Sequence, residues 1–165
     1  MPATTTELFA DLELELAATR RVLERVPFEH WQWKPHAKST PLGRLATHLA
    51  ELPHFGEVIA TSSELDMAAT PYVAPAVTNR EELLALFDAR AASLRHVIET
   101  LDDVTLAKHW RLRMGDSVFL DAPRSLLLRQ HGISHAVHHR AQLTVYLRLL
   151  DVPIPGLYGP SADES

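Results

Sequence analysis

The chain has 165 residues, 46% hydrophobic and 22% charged, which is enough to bury one core without disulfides and reads as a single domain over residues 1–165. Sixteen basic against 21 acidic residues leave a formal charge of −5, which repels a nucleic-acid backbone, so no nucleic-acid partner is expected. With no cysteine, thiolate metal sites and cysteine nucleophiles are excluded, and any metal must be held by nitrogen or oxygen.

Thr4 followed by Glu7 reads as a capping box, and Leu8, Leu12, Leu16, Thr19, Val22, Leu23 and Val26 then recur at helical spacing, predicting helix one to about Val26. The opening stretch to Asp11 has no basic run followed by an apolar segment of signal length, so a cytoplasmic location is expected. Pro27 ends the helix. Residues 28–38, with Trp31, Trp33 and Pro35, read as an ordered loop that buries its tryptophans. Thr40-Pro41 is an N-cap and N1 pair for helix two, which Leu42, Leu45, Leu49 and Leu52 line on one face to about Ser62. Pro53 predicts a kink or a split one turn past His48.

Thr78 and Glu81 repeat the capping box, and Leu83, Leu86, Phe87, Leu94, Val97, Ile98 and Leu101 carry helix three. Residues 110–120 alternate apolar and polar around Gly115-Asp116, the pattern of a short two-stranded arm. Asp121-Ala122-Pro123 opens helix four, whose apolar positions Ile133, Val137, Ala141, Thr144 and Leu147 run to Leu150. Its four arginines, from Arg124 to Arg148, spread around the helix and read as solvated surface. No segment approaches the ~18 apolar residues of a membrane span, so no membrane partner is expected. Four helices with one apolar stripe each must bury those stripes against one another. The predicted fold is all-α, a four-helix bundle with a short β-arm between helices three and four, and the long connection over residues 61–78 allows a crossover.

Ten histidines are more than a chain of this size ordinarily carries, and their spacing separates them. His131, His135 and His139 fall at steps of four on helix four, with Gln142 three further on, so they share one stripe. Two imidazoles at i and i+4 can chelate one ion. The stripe borders Leu143 and Leu147, beside the buried face, and His48 lies among Leu45, Leu49 and Leu52, where a helix places core residues. A buried neutral imidazole needs a partner, and a metal shared by His48, His135 and His139 supplies one. A lone His-x3-His is otherwise as often an exposed polar stripe. His138 is the alternative to His139, since it can pair with His135 or Gln142; His139 is preferred. Glu51 and Gln142 lie within a turn of a ligand and could orient it, or simply face solvent. His30, His36, His54, His96 and His109 read as surface residues.

Other metal chemistries fail on particular residues. A zincin needs glutamate directly after the first histidine of its helical pair, and that position is Ala136. A di-iron carboxylate bundle needs two Glu-x-x-His motifs; only Glu51 to His54 qualifies, interrupted by Pro53. What remains is one divalent ion per chain on three nitrogens, a set that suits Zn2+ or Ni2+ and accommodates Fe2+, with positions left for water or substrate.

The assembled pattern resembles the DinB-like family of metal-binding four-helix bundles over nearly the whole chain. The resemblance rests on Trp33-Lys34-Pro35, on Gly43-Arg44-Leu45-Ala46-Thr47-His48-Leu49, on His135-Ala136-Val137-His138-His139-Arg140-Ala141-Gln142-Leu143 and on the tail Leu157-Tyr158-Gly159-Pro160-Ser161-Ala162-Asp163. Ala141 stands where many members have glycine. The resemblance implies an up-down-down-up bundle, a three-histidine metal site and a homodimer, and it implies no single reaction. Relatives include metal-dependent transferases and isomerases that use low-molecular-weight thiols, so a thiol is an expected small-molecule partner. The functional expectation is a metal-dependent hydrolase or thiol-dependent S-transferase acting on a small molecule. The alternative is a non-catalytic, metal-stabilised binding or stress-response module.

Overall fold

Helical apolar spacing builds most of the chain, which a computed structural model describes over residues 5–164. Thr4, the expected cap of helix one, lies outside the described residues. Helix one does not run unbroken: α1 (Thr5–Leu8) and α2 (Leu12–Leu23) are separated by a turn in which the Leu12 N–H donates to the Phe9 carbonyl at 3.0 Å. The following loop contains one 3-10 turn, Phe28–His30. Trp31 and Trp33 are only half-buried there, whereas Trp110, expected in the β-arm, is fully buried and its indole N–H donates to the Ser62 hydroxyl at 2.9 Å.

Helix two is α3 (Leu42–Thr61), and it stays continuous through Pro53. Pro41 rather than Thr40 stands at its N-cap, with no side-chain cap; the Thr40 carbonyl accepts from the Tyr146 hydroxyl instead. Burial on both sides of α3, from Leu45 and Ala46 to Leu49 and Ala50, follows from its position in contact with helices on two flanks. Helix three is α4 (Arg80–Thr100), which buries Leu83, Phe87, Ala91, Leu94 and Ile98 at steps of four and three. Its capping box sits one residue later than expected. Asn79 accepts from the Glu82 N–H at 2.8 Å, while the Glu82 carboxylate accepts from the Thr78 N–H at 2.8 Å.

After the short α5 (Asp103–Ala107), the expected two-stranded arm is part of a three-stranded sheet. β2 (His109–Met114) and β3 (Ser117–Pro123) pair antiparallel, and β1 (Glu64–Asp66), from the connection after α3, joins β2 in parallel. Three residues are too few for a period-2 signal, so the sequence does not announce β1. Arg113 fixes it by pairing with Glu64 and Asp66, each at 2.7 Å.

Helix four opens later than Asp121, because β3 extends to Pro123. α6 (Arg124–Leu127) passes into a π-helical stretch (Leu128–Ser134) and then α7 (His135–Leu149). Two of its arginines are not solvated. Arg124 donates to the carbonyls of Ile59 at 3.0 Å and Ser62 at 2.5 Å, closing the end of α3. Arg140, 1% exposed, pairs with Glu15 at 2.6 Å and donates to the Tyr158 hydroxyl at 2.5 Å. The chain is thus mostly helical with one small sheet; α3 packs on α4 and α7, and α2 also packs on α4 and α7.

Candidate metal centre

His48 projects from the face of α3 that packs on α7, within a run whose neighbours Leu45, Thr47 and Leu49 are buried. His135 and His139 come from one face of α7, a helical turn apart. These are three of the histidines singled out above, and one donor nitrogen from each lies within 4.8 Å of the other two. Ring centroids are 4.7 Å apart for His48–His139, 5.3 Å for His48–His135 and 4.6 Å for His135–His139. Among the described residues no carboxylate joins this group.

The hydrogen bonds set the tautomers. Nδ1–H of His139 donates to Oε1 of Gln142 at 2.8 Å, which leaves the His139 Nε2 lone pair facing the other histidines, the form a metal ligand needs. That Nε2 stands 2.8 Å from Nε2 of His135. His135 has no other hold on the protein, since its Nδ1 is buried without a hydrogen-bond partner. Two convergent imidazole edges and a third ring beside them fit a divalent ion: donors bound to one ion at ~2.1 Å lie within about 4 Å of one another, close to the spacing observed. The three-histidine cluster can therefore hold a divalent metal ion.

Electrostatics keep the donors neutral. Burial, with the neighbouring imidazoles of His139 and His135 and the Arg44 guanidinium adding to it, pushes His48 down to about 4 from an ordinary 6.5. Burial does the same to His135, which also falls to about 4. His139 is lowered by burial too, partly offset by its bond to Gln142.

The other candidates separate. His131 stays outside the donor group: its ring meets that of His135 edge-on at 6.0 Å and packs on Phe55 at 5.9 Å. His138 is exposed, with its ring 4.8 Å from that of His139. His54 pairs with Glu57 at 2.9 Å and His109 with Asp121 at 2.7 Å, both away from the cluster. Gln142, which the sequence left either to orient a ligand or to face solvent, holds the His139 ring through its amide oxygen. Glu51 does not; it accepts from Arg44 at 3.1 Å and from the Tyr72 hydroxyl at 2.8 Å.

His48, His139 and Gln142 form part of the wall of a cleft of about 490 Å3, which Lys38, Arg44 and Tyr146 also line. Arg44 was visible in the sequence as the residue one turn before His48. Lys38 carried no signal, because only the fold brings its loop to the mouth of the cleft. A model of the DinB family matches residues 1–165. The chain belongs to the DinB family. A curated relative, the uncharacterized protein YrdA of Bacillus subtilis (strain 168), is 26% identical over 153 residues, 92% of this chain and 86% of its own. Among solved structures, a DinB-like protein from Bacillus cereus ATCC 10987 superposes with a TM-score of 0.69 at 20% identity, covering 96% of this chain and 100% of that one. The DinB-like protein YjoA of Bacillus subtilis gives 0.67 at 18% identity, covering 93% and 99%. At such identities these two structures speak for the fold.

Proposed function

We propose that this DinB-family protein is a divalent-metal-dependent enzyme acting on a small molecule, as a thiol S-transferase or hydrolase, with His48, His135 and His139 holding one zinc or nickel ion, or iron. The observation that carries the reading is the convergence of three neutral imidazole donors beside an open cleft whose wall includes His48 and His139, with no fourth protein ligand in the group among the described residues. A structural zinc site fills all four positions from the protein, so the open set favours catalysis over the alternative of a metal-stabilised binding module. When bound, such an ion lowers the pKa of a water or thiol and polarises an acceptor.

The chain's own contributions follow from the geometry. Gln142 holds His139 in its ligating tautomer, and burial keeps His48 and His135 unprotonated at neutral pH. The absence of cysteine means that a sulfur nucleophile would be brought in as a small thiol. A homodimer, the up-down-down-up helix order of the family and a cytoplasmic setting belong to the same proposal; no helix among the described residues is long and apolar enough to cross a membrane. Elemental analysis of the purified protein tests the ligand set. About one ion per chain is expected, with His48→Ala and His135→Ala each reducing it several-fold; full stoichiometry in either variant would refute the assignment. Light scattering that returned a strict monomer at micromolar concentration would remove the dimer.

A further inference from the structure

The cleft beside the histidines carries a charge pattern that the three ligands do not explain. Two cationic side chains, Lys38 and Arg44, line it, and no carboxylate does. Arg44 is fixed in place: one Nη donates to Glu51 at 3.1 Å and the other to the Tyr72 hydroxyl at 2.8 Å, and that hydroxyl donates in turn to Glu51. These bonds use two of the five guanidinium N–H groups and leave the rest for a ligand. Glu51 balances the Arg44 charge, so Lys38, which has no ion pair among the described residues, supplies the net positive charge.

The first two backbone donors of α3 are already taken. The Leu42 N–H donates to the Trp33 carbonyl at 2.8 Å and the Gly43 N–H to the Trp31 carbonyl at 2.9 Å, so the charged side chains lead recognition. The ligand imidazoles are neutral and offset none of the charge of a divalent ion. A held guanidinium fork matches a planar carboxylate, and an ammonium beside it adds a mobile point charge. The cleft, about 490 Å3, admits a metabolite-sized molecule.

We infer that the small-molecule substrate carries a carboxylate, gripped by Lys38 and Arg44 while its reacting end reaches the histidine cluster. This rests on the metal-enzyme reading above and names its substrate class. No bond to the carboxylate is made or broken.

The experiment loads the protein with Co2+ and titrates 3-mercaptopropionate against its neutral analogue 3-mercapto-1-propanol, following the sulfur-to-cobalt charge-transfer band. Mercaptopropionate is expected to bind about tenfold more tightly, as one charge-assisted contact implies. Since the ion alone favours an anion, Lys38 decides the matter. Lys38→Gln should reduce the preference to about threefold, in line with a partly exposed ion pair, and Lys38→Arg should restore it. An unchanged preference in Lys38→Gln overturns the inference while leaving the metal-enzyme reading intact. If neither thiol gives a band, the thiol reading fails by itself. Calorimetry of malonate binding to the zinc-loaded protein then decides: Lys38-dependent binding supports the carboxylate site and its absence overturns it. Inorganic phosphate displacing mercaptopropionate more effectively than malonate does would also overturn the carboxylate assignment.

Discussion

Gln142 and Gly43 show how much single positions contribute to the centre. Gln142 is exposed, yet its amide oxygen accepts from Nδ1–H of His139 and so fixes which nitrogen carries the lone pair towards His135. Partners of metal-ligating histidines are typically worth 10–100-fold in affinity, so Gln142→Ala is expected to weaken metal binding by about tenfold. Competition with a chromophoric chelator measures this, and an unchanged affinity would mean that the tautomer is set elsewhere. Gly43, five residues ahead of His48, lies flat against Trp31: a Cβ there would meet the indole at 2.2 Å, and that indole stacks on Phe28 with centroids 4.4 Å apart. Alanine should gain about 1 kcal/mol of helix propensity. Displacing a packed ring costs about 1–3 kcal/mol, so overlap wins and Gly43→Ala should be destabilised in urea, with altered tryptophan fluorescence.

At the scale of elements, the π-helical stretch is the feature that sequence periodicity could not supply. Histidines at 131, 135 and 139 are evenly spaced, but the wider turns over Leu128–Ser134 change the phase, and of the three only His135 and His139 join His48 in the donor group. The same stretch brings Gly132 against Gly56 of α3; a Cβ on Gly132 would lie 3.9 Å from the Gly56 Cα. Both capping and turn chemistry can be tested independently of the metal. Asn79→Ala removes the bond to the Glu82 N–H at the start of α4 and should cost about 1 kcal/mol, read as a lower urea midpoint at constant slope. Gly115, between β2 and β3, has φ +57, and a Cβ there would meet no atom within 4 Å, so Gly115→Ala should cost only the backbone penalty of about 1–2 kcal/mol.

For the whole molecule, the buried pair of Arg140 and Glu15 ties α7 to α2, and the Tyr158 hydroxyl in the C-terminal tail donates to the same carboxylate at 2.9 Å. Removing one member leaves an uncompensated buried charge, so Arg140→Ala is expected to lose about 3–5 kcal/mol, whereas Tyr158→Phe, which keeps the pair, should lose less. Stability should also depend on pH. His48 and His135 have folded pKa values near 4 against an ordinary 6.5, so between those values the unfolded chain binds more protons than the native one. Metal-free protein should therefore keep its full stability above about pH 7, lose it progressively as pH falls towards 4, and show no further change from these two groups below that. A clearly shallower fall in melting temperature from pH 7 to 4 in the His48→Gln, His135→Gln double variant than in the parent would attribute the difference to these rings; parallel profiles would refute it.

Local patterns in the sequence determined the helical class, the positions of α3 and α4 and the three histidines, because apolar periodicity and i, i+4 spacing are properties of a chain segment by itself. Family membership was also legible, in motifs such as Thr47-His48-Leu49 and His138-His139-Arg140. Tertiary structure decided the rest. The fate of the arginines on helix four is the clearest case: Arg124 and Arg140 are buried because the acceptors that satisfy them, Ile59, Ser62 and Glu15, are more than 60 residues away in the chain. β1 exists because Arg113 recruits Glu64 and Asp66 from a distant loop. Lys38 faces the histidine cleft for the same kind of reason. No window of local sequence contains both partners of such contacts, so only the folded chain could place the charges beside the histidine cluster.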